Sequence, residues 1–183
     1  EKLAVRDGVD HVLAVFEVPE ASLAQLPSPQ RGLVLVAVET EKPGNLGALL
    51  RTADAVGVDA VLVVDPVCDP WNPQVARNSL GALFRVPLAV CSASEARTWL
   101  HEHGLMLVLG HLEATQEYTR ATLSGPVAVV VGPEDRGLAP DWNQKDALRV
   151  KIPMRGLVDS LNVSVSAAVL LYEVDRQQQV SKS

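Results

Sequence analysis

The stretch IPMRGLVDSLNVSVSAAVLLYE, residues Ile152 to Glu173, decides how this chain is read. A strand over Leu148 to Ile152 is expected to stop at Pro153, which has no N–H to give a ladder. A loop through Gly156 follows. Asp159 or Ser160 then offers a side-chain oxygen to the free amides of a first helical turn, and the helical pattern runs to about Gln179. Val165, Ala168, Val169 and Tyr172 share one face of that helix, and Val163, Ala167, Leu170 and Val174 share another. A helix apolar on two faces is expected to be covered on two sides, by its own core and by a partner subunit. Its entrance gathers Asp159, Ser160 and Asn162 beside unsatisfied amides, an end suited to a polar or anionic ligand. The same residues serve equally well as a cap and a turn.

Working outward, Leu33–Val38, Ala60–Val64, Leu105–Leu109 and Val127–Val131 are continuous apolar runs, and a further strand is expected around Phe84 to Val90. Such runs mark strands buried on both faces. Helical segments lie between them. One runs from Leu46 to Val56, with Asn45 as its cap and Gly57 as its stop. A short one runs from Pro73 through Arg77, and another from Ser94 to His103, ended by Gly104. A last short one is expected near Ala139 to Gln144, and Val12 to Phe16 reads as a possible strand. Strands alternating with helices predict an α/β domain with a mostly parallel sheet flanked by helices. In such sheets ligands bind at the carboxyl ends of the strands. The polar clusters Glu39 to Asn45, Gly110-His111, Gly132 to Gly137 and Pro153 to Asn162 all follow strands, which favours a site there.

Composition sets the limits. A chain of 183 residues is long enough for one domain with a full core. Its net charge of −6 argues against a protein that coats nucleic acid through bulk charge. A local basic site stays open, because Arg51, Arg77, Arg85, Arg136, Arg149, Lys151 and Arg155 fall in or near the segments above. Cys68 and Cys91 have no motif spacing and read as reduced, cytoplasmic-type residues. The four histidines form no metal set, and no apolar run is long enough to span a bilayer. Gly44 and Gly47 lack the spacing of a dinucleotide fingerprint and the lysine of a P-loop. Residues 1–30 read as an N-terminal extension or the remnant of an upstream RNA-recognition domain plus a linker, and residues 31–183 as the main domain. Residue chemistry alone thus reaches an α/β domain with a polar site at its strand ends, most simply for a nucleotide-like ligand.

Three stretches together resemble the SpoU family of RNA ribose 2′-O-methyltransferases, within the SPOUT superfamily. The first is ETEKPGNLG, Glu39 to Gly47, continuing to Arg51-Thr52-Ala53. The second is VGPEDRGL, Val131 to Leu138, similar to the family's Gly-x-Glu-x-x-Gly motif. The third and most specific runs from Ile152-Pro153-Met154 to Ser160-Leu161-Asn162-Val163-Ser164. Arg77 to Phe84, ahead of Pro87, also resembles a family stretch, and Pro133 stands where many members carry Asn.

The resemblance implies a C-terminal deep trefoil knot, which general topology rules disfavour. It implies S-adenosyl-L-methionine held by Leu109, Gly110, Val131, Gly132, Ile152, Met154 and Leu161, with no metal. It implies transfer of a methyl group to a ribose 2′-hydroxyl of structured RNA, ribosomal or transfer, with ribosomal slightly favoured. Arg51 is the catalytic residue of the first motif, and Asn45, Glu134, Ser160 and Asn162 are expected to position it and the ribose. A guanidinium stays protonated, so its expected role is to bind a phosphate and steady the developing alkoxide rather than to act as a base. The family also implies a cytoplasmic homodimer, joined through the C-terminal helix, with no membrane partner. The alternative is a non-catalytic RNA-binding or nucleotide-binding module of the same fold.

Overall fold

The computed structural model describes residues 17–133, 137–142 and 147–181. The possible strand at Val12 to Phe16, the site residue Glu134 and the end of the expected helix near Gln144 lie outside them. The strands are β1 (Leu33–Val38), β2 (Ala60–Val64), β3 (Leu88–Cys91), β4 (Met106–Gly110), β5 (Val127–Val131) and β6 (Leu148–Val150). The helices are α1 (Pro43–Val56), α2 (Pro73–Asn78), α3 (Ala93–Glu102) and α4 (Val163–Val180). The strands form one sheet in the order β3-β2-β1-β5-β4-β6, and every pairing is parallel. The mostly parallel α/β expectation therefore holds.

Side chains alternate across the sheet, and both faces are covered. Leu33, Leu35 and Ala37 point into a layer built with Leu49, Leu50 and Ala53 of α1 and Leu170, Leu171 and Val174 of α4. Val34, Val36 and Val38 point into the opposite layer, with Ala96, Trp99 and Leu100 of α3 and with Trp142. All of β1 is buried, which explains why its sequence is uninterrupted apolar. Leu23 and Leu26 pack against the second layer, and the Val90 N–H donates to the Ala21 carbonyl, so residues 21–26 dock beside the edge strand β3.

Several element ends differ from the sequence expectation, each for a local reason. Helix α1 begins at Pro43, with Lys42 rather than Asn45 at the N-cap. Proline suits a first helical position because its missing N–H is not needed there. Asn45 thus sits inside the first turn. Helix α3 is capped by Ser92, not Ser94, through a capping box with Glu95. The expected strand from Phe84 starts only at Leu88, because Ser79 Oγ accepts from the Leu83 N–H and Ala82–Phe84 coil into a 3-10 turn. Phe84 is left 67% exposed. Near Ala139, only a 3-10 turn over Pro140–Trp142 is described. Strand β6 ends at Val150, and Lys151 instead bonds through its backbone to Gln116 and Tyr118. Helix α4 starts at Val163 with Asn162, not Asp159 or Ser160, at its N-cap.

Helix α4 crosses the sheet from the carboxyl rim of the strands to the amino rim. Its far end is tied down by side-chain amides. Gln177 accepts from the Leu123 N–H and donates to the Ala121 carbonyl. Gln178, buried, donates to the carbonyls of Gly125 and Gly32 and accepts from Arg31 Nε. Arg31 also pairs with Asp175. The Asp59 carboxylate accepts from the backbone N–H groups of Arg31, Gly32 and Leu33, which fixes the entry of β1 at the same rim.

Candidate functional site

Two recesses open side by side at the carboxyl ends of the strands. The larger, about 660 Å³, lies beyond β4, β5 and β6. Gly110, Val131, Gly132, Ile152, Met154 and Leu161 line it, together with Ser160 and Asn162. The smaller, about 280 Å³, lies between the ends of β1 and β5 and is lined by Glu39, Thr40, Glu41, Lys42 and Asn45. Both share Val131, Gly132, Pro133 and Val163, so one layer of residues separates them.

The strands explain how these residues meet. Continuous β-branched runs pin β1 and β5 in register, Ala37 opposite Val131, which brings the loops after them together. Glycine at 132 is required by packing. A Cβ there would lie 2.6 Å from Leu138 Cδ2. A side chain at Gly110 would press on Leu170 Cδ1 at 3.3 Å. Backbone polar groups at these strand ends therefore stay open to a ligand.

Asn162 organises the seam. Its Oδ1 accepts from the Ser164 N–H at 3.0 Å and from Ser164 Oγ at 2.6 Å, capping α4. Its Nδ2 donates to Asn45 Oδ1 at 3.1 Å. Asn45 can accept this bond because Pro43 and Lys42 have taken over the start of α1.

The remaining expected residues stand apart. Leu109 is fully buried inside β4 and lines neither recess. Arg51 is exposed on α1 and also lines neither. It stands six residues beyond Asn45, about 9 Å along the helix axis and on a different face. Its face is that of Gly47, which packs so closely on α2 that a Cβ would meet Asn78 Cβ at 2.5 Å. Glu134 lies outside the described residues.

Sequence reading missed other members of the larger recess: His111, Glu113, Gly137, Leu138, Ser166 and Leu170. His111 Nδ1 accepts from the Glu113 N–H, so the turn after β4 is held by its own ring. The signal for Ser166 and Leu170 was their helical spacing from Asn162, at four and eight residues. Burial, followed by the nearby Glu95 and Asp65 carboxylates, pushes the Cys91 thiol up to about 12, so it supplies no nucleophile at neutral pH. Among the described residues no group of His, Cys, Asp and Glu is placed to hold a metal ion. No described helix is long and apolar enough to cross a membrane.

Comparison with known proteins agrees with this architecture. Residues 32–172 match the SpoU rRNA Methylase family. A 23S rRNA (guanosine-2′-O-)-methyltransferase, RlmB, of Vibrio parahaemolyticus is 37% identical over 175 residues, covering 95% of this chain and 66% of the relative. A 23S rRNA (guanosine(2553)-2′-O)-methyltransferase, RlmP, of Bacillus subtilis is 32% identical, covering 89% of this chain and 64% of the relative. The crystal structure of the SpoU methyltransferase AviRb from Streptomyces viridochromogenes superposes with a TM-score of 0.83 at 29% identity, covering 90% of this chain and 66% of that one. An AdoMet-bound rRNA methyltransferase from Sinorhizobium meliloti gives a TM-score of 0.82 at 28% identity, covering 88% of this chain and 62% of that one. The chain spans at most 66% of the length of each of these four proteins. With its parallel sheet, strand-end cavity and matched sequence, this chain belongs to the SpoU rRNA methylase family.

Proposed function

We propose that this chain is the S-adenosylmethionine-dependent domain of an RNA ribose 2′-O-methyltransferase, acting on structured RNA. The names of the relatives favour ribosomal over transfer RNA. The observation that carries the reading is the larger cavity. Six of the seven residues expected to hold the cofactor line it: Gly110, Val131, Gly132, Ile152, Met154 and Leu161. Its character fits the group. Leu138, Ile152 and Leu170 give apolar walls for an adenosine and a thioether chain, and strand-end peptide groups give hydrogen-bond partners. No Lys or Arg is among the described lining residues, so a cationic sulfonium meets no like charge from them. When bound, the cofactor supplies an electrophilic methyl group.

The chain's own residues then position and stabilise. Asn45 and Asn162 hold the seam between the recesses, where the ribose 2′-hydroxyl is presented. Ser160 and Glu134 complete the polar rim. Arg51, outside both recesses, binds the RNA backbone and opposes negative charge that develops as the hydroxyl loses its proton. It keeps its own proton. That proton passes to phosphate or water.

We read the path of residues 111–162 as the deep trefoil knot of this family. Its support is that Lys151 runs beside Gln116 and Tyr118 before the chain returns to Asn45. We read α4 as the centre of a homodimer interface. Val165 is 47% and Tyr172 51% exposed on its outward face, next to exposed Gly44 and Ala55 of the neighbouring α1. Residues 31–183 are then the methyltransferase domain and the preceding segment an extension of it, at work in the cytoplasm on RNA.

The test is tritium transfer from labelled S-adenosylmethionine to RNA lacking the modification, followed by digestion to nucleosides. Label in a 2′-O-methylnucleoside is the expected result. Label in a base methyl overturns the chemistry, and cofactor binding without any transfer favours the non-catalytic module.

A further inference from the structure

We propose that the smaller recess binds the base of the nucleotide to be methylated, and that its rim selects guanine. The inference rests on the reading of the chain as an RNA ribose methyltransferase.

Position is the first argument. The strand order runs outward from β1 toward β3 on one side and toward β6 on the other. The recess lies between the ends of β1 and β5, where that order reverses. Open parallel sheets place ligands in such a crevice. The recess also shares Val131, Gly132, Pro133 and Val163 with the larger cavity, and Asn45 reaches from its rim to Asn162 on the rim of the other. A ribose standing at this boundary directs its 2′-hydroxyl toward the larger cavity and its base into the smaller one.

Chemistry is the second argument. The polar lining comprises Glu39, Thr40, Glu41, Lys42 and Asn45. Paired carboxylates repel a phosphate, so the recess is not a backbone site. An ionised carboxylate only accepts hydrogen bonds, and an ammonium only donates them. The complementary base edge therefore carries adjacent N–H donors beside an acceptor. Guanine alone meets this description, with N1–H and N2–H next to O6. Uracil flanks its single N–H with carbonyls, one of which faces a carboxylate. Adenine and cytosine place an acceptor nitrogen beside their one amino group.

Rigidity is the third. Glu39 holds φ +48°, a conformation that a residue with a side chain seldom adopts. The neighbouring strand enforces it. The Glu39 N–H donates to the Val64 carbonyl at 2.8 Å, and the Thr40 carbonyl accepts from the Val67 and Cys68 N–H groups. The lining loop is thus built onto β2 and its exit.

The experiment uses the whole chain, ¹⁵N-labelled and saturated with S-adenosylhomocysteine, titrated separately with guanosine, inosine and uridine. Guanosine is expected to shift the amides of Thr40 to Asn45 and Gly132. It is expected to bind at least about ten-fold tighter than uridine, the discrimination of one bidentate pair. Inosine, which lacks N2–H, falls between. The Glu39→Gln/Glu41→Gln double variant should erase this preference while its S-adenosylhomocysteine affinity, read by calorimetry, stays the same. Equal binding of uridine, shifts confined to other surfaces, or no nucleoside binding each overturn the subsite. A preference that survives in the double variant overturns the role of the carboxylates. In all these cases, intact S-adenosylhomocysteine binding and tritium transfer leave the methyltransferase reading standing. Loss of both instead sinks that reading.

Discussion

Asn162 donates from Nδ2 to Oδ1 of Asn45 at 3.1 Å, across 117 positions of sequence. The same side chain caps α4 through its other atom. Two substitutions separate these roles. Asn162→Asp keeps the capping oxygen and removes the donor. Asn162→Ala removes both and should cost about 1 kcal/mol of stability, the usual worth of an N-cap. We expect urea midpoints to fall for the alanine variant only, and methyl transfer to fall in both. Wild-type transfer by Asn162→Asp would show that the Asn45 bond plays no part in turnover.

Gly132→Ala should damage the cofactor site without unfolding the domain. The new methyl group meets Leu138 at 2.6 Å, and Leu138 lines the larger cavity. Displacing it narrows that space. The expected result is a rise of at least about ten-fold in the dissociation constant for S-adenosylmethionine, in keeping with an overpacking cost of 1–3 kcal/mol. Adding Leu138→Ala should recover part of the loss, as read by calorimetry.

Arg51→Ala isolates chemistry from stability. Arg51 is exposed and forms no ion pair or hydrogen bond with the described residues. Surface changes of this kind shift stability by no more than about 0.5 kcal/mol. Melting temperature and cofactor affinity should match the wild type, while transfer to RNA is abolished. Unchanged turnover would remove Arg51 from the mechanism.

Glu173 gives a prediction in pH. It is 8% exposed, and its carboxylate holds Arg176 at 2.8 and 2.7 Å and Gln177 at 2.8 Å. The Arg176 hydrogen bonds hold its pKa below the ordinary 4.5, against the opposing effect of burial. A carboxyl group depressed in the folded state stabilises above its unfolded pKa, and this is lost as pH falls through the folded value. Wild type should therefore be more stable than Glu173→Gln at pH 7. The gap in melting temperature should close below the ordinary carboxylate value of 4.5.

Gln178→Leu tests the far end of α4. It strands the carbonyls of Gly32 and Gly125 and takes an acceptor from Arg31. Leaving buried polar groups unpaired costs about 1–3 kcal/mol. A stability loss of about that size is expected from urea unfolding, larger than for a change at exposed Gln179.

Strands β1, β2 and β5 were legible to the residue, because sheet burial on both faces leaves nothing but apolar side chains between two polar ends. The cap of α4 was not. Asp159, Ser160 and Asn162 are all competent caps, and local chemistry cannot rank them. The long-range bond to Asn45 accompanies the choice. Phe84 misled for a related reason. An aromatic beside Val86 reads as strand, but Leu80 and Gly81, with φ of +51° and +88°, turn the chain first. The separation of Arg51 from Asn45 was legible after all. Six residues of helix amount to well over one turn and a half, so the two side chains do not share a face.

The two ends of α4 have a consequence for the order of events during folding. Its first residue is fixed by a partner 117 positions earlier, and Gln178 by a partner 146 positions earlier. Contacts of such long range form late, since the intervening chain must be ordered first. The walls given by β4 and β5 can stand early, but Leu161, Asn162, Ser166 and Leu170 arrive with the last segment. A nascent chain emerging from the ribosome therefore has a nearly complete sheet and no closed cavity. It gains its ligand site only when the final helix docks across the sheet.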